Sequence, residues 1–160
     1  MSNVNTAYGA NGQLITVTLA SLVNAGARAS TVVDNSSNLF LDALVQLKIK
    51  SGASGVLTTG FVNVYAYGTT DGGTSYPEGA TGTDVGVTLT IPPNVRLIGS
   101  LNVVANATSY ISEPMSVAAA FGGILPQKWG IIIENQTGAS LDGTEGNHLK
   151  EYQGVYATVS

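Results

Sequence analysis

The chain has a single histidine, His148, which makes it the first residue to consider for acid–base chemistry. A hydrolytic triad needs a histidine beside a nucleophile and a carboxylate that orients the imidazole ring. Asp142, Glu145 and Glu151 are near His148 in the sequence, and serine is plentiful. However, there is no G-x-S-x-G motif to present a serine nucleophile. We therefore expect His148 to be a loop residue whose ring bonds the backbone before the last strand.

Paired carboxylates are the second arrangement that could be catalytic, because glycosidases place two acidic side chains around the scissile bond. The chain has ten acidic residues, and only Asp42, Glu113 and Glu134 fall within predicted strands. Asp42 and Glu134 could be neighbours across a sheet. The single tryptophan, Trp129, is either a core residue at the start of a strand or a candidate stacking residue for a sugar ring. Neither arrangement amounts to an active site, so the sequence predicts a protein that is not an enzyme.

Calcium binding is the third chemistry to consider, because it requires six to eight oxygen ligands, usually from clustered carboxylates. The segments DNSSN (34–38) and LDGTEGNH (141–148) offer some of these oxygens. Neither has the spacing of an EF-hand loop with its closing glutamate. Their Asp and Asn side chains can instead close turns by bonding the nearby backbone. We predict no metal site and no cofactor.

The glycine-rich segment GTTDGGTSYPEGATGTDVG (68–86) lies between two predicted strands and has no positive charge. Its Asp-Gly pair is a strong turn signal. Loops of this length in compact domains are typically functional or disordered. We predict that the loop projects from one end of the domain and contacts a neighbouring subunit. The candidate contact residues are Asp71, Tyr76, Pro77, Glu78 and Asp84.

The composition limits the classes of partner. The chain has 160 residues, which suits one domain, and only 10% of them are charged, against roughly 25% in an average domain. Such surfaces suit lasting contacts between subunits, because interface cores are depleted in charge. The net charge is −4, and the six Lys and Arg residues are scattered. Without a basic stripe we predict no direct contact with nucleic acid, and no apolar run is long enough to predict a membrane span.

Alternation of apolar and polar residues predicts β-strands along most of the chain. In the segment 39–50 the residues Leu39, Leu41, Ala43, Val45, Leu47 and Ile49 share one face. Turn residues separate the predicted strands, and 115–123 is predicted to hold a short helical turn ended by glycine. The other predicted strands are 13–19, 30–33, 61–68, 85–91, 95–104, 110–118, 128–135 and 152–159.

These strands predict an all-β fold, an antiparallel β-sandwich of jelly-roll type with about eight to nine strands. The predicted domain covers residues 13–160. It follows a polar N-terminal arm, residues 1–12, which we expect to lie along a neighbouring subunit. The start of the chain has no basic region followed by an apolar one, so no secretory signal is predicted and we expect synthesis in the cytoplasm.

Four stretches resemble small structural proteins of tailed-bacteriophage virions, of the capsid decoration or cement type. They are TVVDNSSNLFLDALVQLKIK (31–50), VYAYGTTDGGTSYPEGATGTD (64–84), RLIGSL (96–101) and AAAFGGILPQKWGIIIENQTGASLD (118–142). The resemblance implies a jelly-roll subunit on the outer surface of the head, bound to the major capsid protein as a homo-oligomer. By analogy with three-fold sites on icosahedral heads a trimer is favoured. The alternatives are a tail or fibre component and a carbohydrate-binding module for host recognition.

Overall fold

The computed structural model describes residues 2–160, which form twelve β-strands and three short 3₁₀ helices. The strands are β1 (Val4–Tyr8), β2 (Gln13–Leu14), β3 (Ala27–Ala29), β4 (Val33–Asp34), β5 (Asp42–Lys50), β6 (Phe61–Thr69), β7 (Val85–Val87), β8 (Arg96–Asn102), β9 (Ser109–Ile111), β10 (Met115–Ser116), β11 (Lys128–Gln136) and β12 (Leu149–Val159). The 3₁₀ helices are Pro77–Gly79, Ala118–Phe121 and Glu145–Asn147.

The strands form two antiparallel sheets of six strands each, and the expected all-β sandwich is confirmed at this level. In sheet A, β12 lies between β5 and the pair β1 and β2, and β5 also pairs with β9 and β10. In sheet B the order is β7, β3, β11, β6 and β8, and β4 shares the edge of β11 with β3. Two strands thus share one position in three places: β1 and β2 beside β12, β9 and β10 beside β5, and β3 and β4 beside β11. The twelve strands therefore occupy nine positions in the two sheets.

The core lies between the two sheets and is made by the inward faces of β5, β6 and β11. The predicted alternation in β5 is confirmed for its four inward residues, which are fully buried. It is wrong for Leu39 and Leu41, which are exposed. The reason is a turn: the Asn35 side chain bonds both the N–H and the C=O of Phe40, at 2.9 and 2.8 Å, so the strand begins only at Asp42.

The predicted strand 13–19 pairs with a neighbour only at β2, yet residues 15, 17 and 19 are buried as a strand would bury them. Carboxylates take the place of a neighbouring strand here. Asp84 accepts the N–H of Thr18 at 3.1 Å, and Glu145 accepts the N–H of Leu19 at 2.8 Å. The segment therefore keeps an extended course while carboxylate side chains satisfy the N–H groups of residues 18–20.

Two other predicted boundaries are corrected. The strand predicted at 85–91 ends at Val87, because the Thr90 N–H is donated to the Glu78 carboxylate and not to a neighbouring strand. Residues 4–8 of the predicted polar arm form β1, which pairs with β12 of the same chain. The short helical turn is confirmed as Ala118–Phe121, and it ends at Gly122 in the left-handed conformation with φ 77°.

Candidate functional site

The segment 68–86 folds over the outer face of sheet B and does not project from the domain as predicted. Tyr76 packs edge-on against Tyr67 of β6, with ring centroids 5.5 Å apart. Ala80 is buried in the same outer cluster. Apolar side chains of β3, β6 and β11 supply the floor of this cluster. The loop is thus a cover that buries apolar groups on a face of sheet B which would otherwise be exposed to water.

Asp71 closes a turn within its own segment. Its carboxylate accepts the hydroxyl of Thr69 and the N–H groups of Gly73 and Thr74, at 3.2 and 2.9 Å for the two amides. The Thr69 hydroxyl is the largest cause that holds the pKa of Asp71 well below its usual value, and the Thr74 amide adds to it. This side chain is exposed, but its oxygens are engaged in the turn.

Glu78 fastens the cover to the segment that follows β7. It accepts the N–H of Thr90 at 2.7 Å and the N–H of Asn94 at 2.5 Å. Burial raises the pKa of Glu78, but the hydrogen bonds from Asn94 and Thr90 outweigh it, and the pKa lies below its usual value.

Asp84 joins β3 to the segment before it. Its Oδ1 lies 2.5 Å from Nε of Arg28, and its Oδ2 accepts the Thr18 hydroxyl at 2.6 Å. Burial raises its pKa, but the bonds from Arg28 and Thr18 lower it by more. The predicted contact residues are therefore not brought together at one surface. Asp71, Glu78 and Asp84 each bond a different part of the chain, and Pro77 starts the 3₁₀ helix.

His148 is a structural residue, as expected from the sequence. It is buried, its Nδ1 accepts the N–H of Lys50 at 3.3 Å, and its Nε2 lies 3.1 Å from the carbonyl of Asp142. With Nδ1 as acceptor, the proton is on Nε2 and is donated to that carbonyl. Both ring nitrogens are thus used to hold the loop 141–148 against β5, and neither is left to activate a nucleophile.

The loop 141–148 is a hydrogen-bonded turn. Asp142 accepts the side-chain amide of Asn147 at 2.8 Å and the N–H of Thr144 at 2.9 Å, and Lys50 lies 3.2 Å away. The Asn147 amide is the largest cause that lowers the pKa of Asp142 to about 2. Among residues 2–160 there is no group of three or more His, Asp or Glu side chains placed to hold a metal ion.

The acidic residues predicted in strands do not form a catalytic pair. Asp42 is in β5 of sheet A, where it accepts the Ser116 hydroxyl at 2.7 Å and the Ala118 N–H at 2.8 Å. Glu134 is in β11 of sheet B, so the two are not neighbours in one sheet. Glu113 lies in the link between β9 and β10 rather than in a strand.

In the described part of the chain no helix is long and apolar enough to cross a membrane.

Trp129 is a core residue, and the alternative that it stacks on a ligand is wrong. Its side chain is 0% exposed. Its ring meets Tyr152 of the opposite sheet edge-on, at 5.2 Å between centroids and an interplanar angle of 88°. The indole Nε1 has no hydrogen-bond partner. The residue therefore fills space between the sheets and has no face open to solvent.

One polar groove was not predicted from the sequence. It has a volume of about 490 Å³ and lies on sheet B beside the end of β7. Glu134 is at its floor, where Oε2 accepts the Tyr65 hydroxyl and the Asn63 amide at 3.0 Å each. The Gln136 amide bonds Oε1 at 2.9 Å. Ile91, which is 100% exposed, forms part of the wall.

The chemistry of this groove suits a neutral ligand rich in hydroxyl groups. It presents the Glu134 carboxylate, the Gln136 amide and the Tyr65 phenol beside apolar side chains, and no Lys or Arg lines it. Burial, followed by the bond to Glu134, raises the pKa of Tyr65, so its hydroxyl stays protonated near neutral pH. Only a weak indication of this groove was present in the sequence. Asn63 and Tyr65 are two residues apart on β6 and so share one face, but only the pairing of β6 with β11 places them beside Glu134.

A second groove lies at the end of the sandwich where β6 finishes. Its volume is about 570 Å³, and its lining includes Thr69, Thr70 and Gly72 together with Phe121, Ile124 and Pro126. Ile124 is 76% exposed. This is the part of the glycine-rich loop that borders an open surface.

Comparison of the chain with protein families, with curated proteins and with solved structures found no match.

Proposed function

We propose that the sandwich is a jelly roll. The order of strands supports this assignment, because each sheet mixes early and late parts of the chain. The first strands pair with the last one, β12, in sheet A, and β3 and β4 pair with β11 in sheet B. In both sheets, strands from the start of the chain lie beside strands from its end, which is the pattern of two Greek keys.

We infer that the protein is a non-enzymatic structural subunit of a tailed-phage virion. Its role is head decoration: it binds the outer surface of the capsid and stabilises contacts between major capsid protein subunits, as a homo-oligomer. A position on the tail or fibre is the alternative within this class. One observation carries the inference. The acidic side chains and the histidine described above form hydrogen bonds within the chain, whereas several large apolar side chains are exposed to solvent.

The exposed apolar side chains at one end of the sandwich are the surface proposed to meet the capsid. This apolar end consists of Leu39, Leu41 and Ile124, all largely exposed. The backbone holds them together, because the N–H of Leu125 is donated to the carbonyl of Leu41 at 3.2 Å. Exposed apolar groups that cluster on a surface with few charges are typical of a protein interface.

We expect charge at the apolar end to abolish decoration. The double variant Leu39→Asp and Ile124→Asp should lose capsid binding by about tenfold or more, because two carboxylates would have to be desolvated in the contact. The measurement is co-sedimentation of the purified protein with particles that lack it. Leu57→Asp is the matched control, since Leu57 is 54% exposed at the opposite end.

Heat and osmotic shock of virions with and without the protein test the cement role itself. Particles that lack the protein should release their DNA at a lower temperature. Equal release temperatures would exclude capsid stabilisation. Binding that survives the double variant but fails in Leu57→Asp would move the contact to the other end.

A second candidate function is recognition of a host carbohydrate, and the Glu134 groove favours it. Carboxylate and amide groups beside an exposed aliphatic side chain can bond sugar hydroxyls and pack against the apolar side of the ring. We expect any glycan binding to be lost in Glu134→Gln, which replaces an acceptor oxygen by a donor but keeps the shape. Glu113→Gln, outside the groove, is the control. A glycan array with the full chain measures this, and unchanged binding in Glu134→Gln would exclude the groove.

A further inference from the structure

The first and last strands form a two-stranded ribbon that extends beyond the rest of sheet A. Val4 pairs with Val159 at its tip and Tyr8 pairs with Val155 at its base. β5 pairs with β12 only over residues 149–155. Residues 156–159 therefore pair with β1 alone. Val4 and Val159 are 73% and 71% exposed. An isolated two-stranded ribbon of this kind is marginally stable in water.

The outer edge of β1 has free hydrogen-bonding groups. The backbones of Asn3 and Ser160 exchange two bonds of 3.0 Å, and the Gly9 N–H is donated to Gly154 at 2.8 Å. In an antiparallel pair such bonded positions alternate with non-bonded ones. The N–H and C=O groups of Val4, Thr6 and Tyr8 therefore point away from β12. Nothing in residues 2–160 pairs with that edge, because β1 ends the order of sheet A.

This edge has none of the features that usually protect an edge strand. Such features are charged side chains, proline, a bulge or a very short strand. Residues 1–27 contain no Asp, Glu, Lys, Arg or Pro, and the pairing of β1 with β12 runs without a register shift. By contrast, β8 begins with Arg96 and pairs with β6 across an irregularity. The strands β7, β9 and β10 have three residues or fewer.

We propose that two copies of this chain pair through β1, antiparallel, about a two-fold axis at Thr6. The two A sheets then become one continuous sheet. Thr6 lies opposite Thr6 of the partner subunit, and Val4 lies opposite Tyr8 of the partner subunit. About six backbone hydrogen bonds form across the axis, two for each facing pair. Thr–Thr and aromatic–β-branched pairs are favourable neighbours across strands.

A second copy fits this edge because the edge is uncharged. Across a two-fold axis a charged edge strand would bring like charges together, which is destabilising. The sequence of β1, VNTAY, avoids this and offers complementary groups to itself. The contact is isologous, so it closes on a dimer. It therefore predicts a dimer in solution in place of the trimer favoured by the virion analogy, and it does not depend on the virion role.

Proline at Thr6 tests the pairing. Thr6→Pro removes an N–H that makes no bond within the chain, and proline is tolerated in an edge strand at such a position. We expect the full-length wild-type protein to sediment as a dimer with a melting temperature that rises with protein concentration, and Thr6→Pro to sediment as a folded monomer whose melting temperature does not depend on concentration. Thr6→Val keeps the N–H and should remain dimeric.

Amide exchange on the wild-type protein gives a second readout that does not depend on a variant. The amides of Val4, Thr6 and Tyr8 should exchange slowly in the dimer, as slowly as those of Asn5 and Ala7, which bond β12 in the monomer. A monomeric or trimeric wild-type protein would overturn the proposal. So would a Thr6→Pro dimer, or fast exchange of the three edge amides beside protected Asn5 and Ala7. A β1 edge that pairs with a capsid strand would appear as slow exchange only in decorated particles.

Discussion

Replacement of Trp129 by alanine is expected to lower the free energy of unfolding by about 3–5 kcal/mol, the range for large-to-small changes at buried aromatic residues. The side chain is fully buried and meets Tyr152 of the other sheet. Its loss leaves a cavity between the sheets where neither backbone can close in. Urea unfolding followed by circular dichroism measures the change.

Trp129→Phe measures how much of the packing a smaller aromatic ring keeps. The phenyl ring keeps part of the volume and removes an Nε1 that has no partner. We therefore expect a smaller loss of stability than in Trp129→Ala. Equal losses in the two variants would mean that the phenyl ring recovers none of the packing of the indole, and a change below about 1 kcal/mol in Trp129→Ala would contradict the core role.

Replacement of Gly130 by alanine is expected to cost about 1–3 kcal/mol and to loosen the loop cover. A Cβ at this position would lie 2.5 Å from Cε1 of Tyr67 and 2.8 Å from Oγ of Ser30. The Tyr67 ring lies across Gly130 and donates its hydroxyl to the Ser30 carbonyl. Since Tyr76 packs on that ring, its displacement should expose the segment 68–86 to protease. Thermal unfolding and limited proteolysis measure the two effects.

Gly86→Ala is the matched control. Gly86 is in β7 of the same sheet, but a Cβ added there would meet no atom within 4 Å. We expect its stability to stay within about 0.5 kcal/mol of the wild type. Similar losses at the two glycines would show that the Tyr67 contact does not set the cost, because the lower chain entropy of alanine by itself favours folding. Unchanged proteolysis of 68–86 in Gly130→Ala would show that the cover does not depend on the Tyr67 ring.

The strands of the core could be predicted from the sequence because their signal is local. In β5 the alternation of side chains itself decides which residues face inward. The boundaries could not be predicted, because they depend on distant partners. The turn at Asn35 closes on Phe40, and the course of 15–19 is held by Asp84 and Glu145, which are far away in the sequence.

The surfaces were harder to predict than the core for the same reason. A glycine-rich loop with exposed aspartates has the composition of a projecting loop, yet Tyr76 meets Tyr67 and Ala80 is buried. The Glu134 groove depends on the register between β6 and β11, which no local pattern specifies. The lack of charge in β1 was visible in the sequence, but only the order of sheet A shows that this strand is an edge.

The central place of β12 in sheet A has a consequence for how the protein is made. The last eleven residues of the sheet pair with β1, β2 and β5, so none of these strands has its main partner until β12 is present. During synthesis β1, β2 and β5 therefore lack this partner until residues 149–159 have left the ribosome. Contacts between distant parts of a chain also form slowly. Sheet A is therefore completed only once β12 has emerged, and any assembly through the β1 edge follows that step.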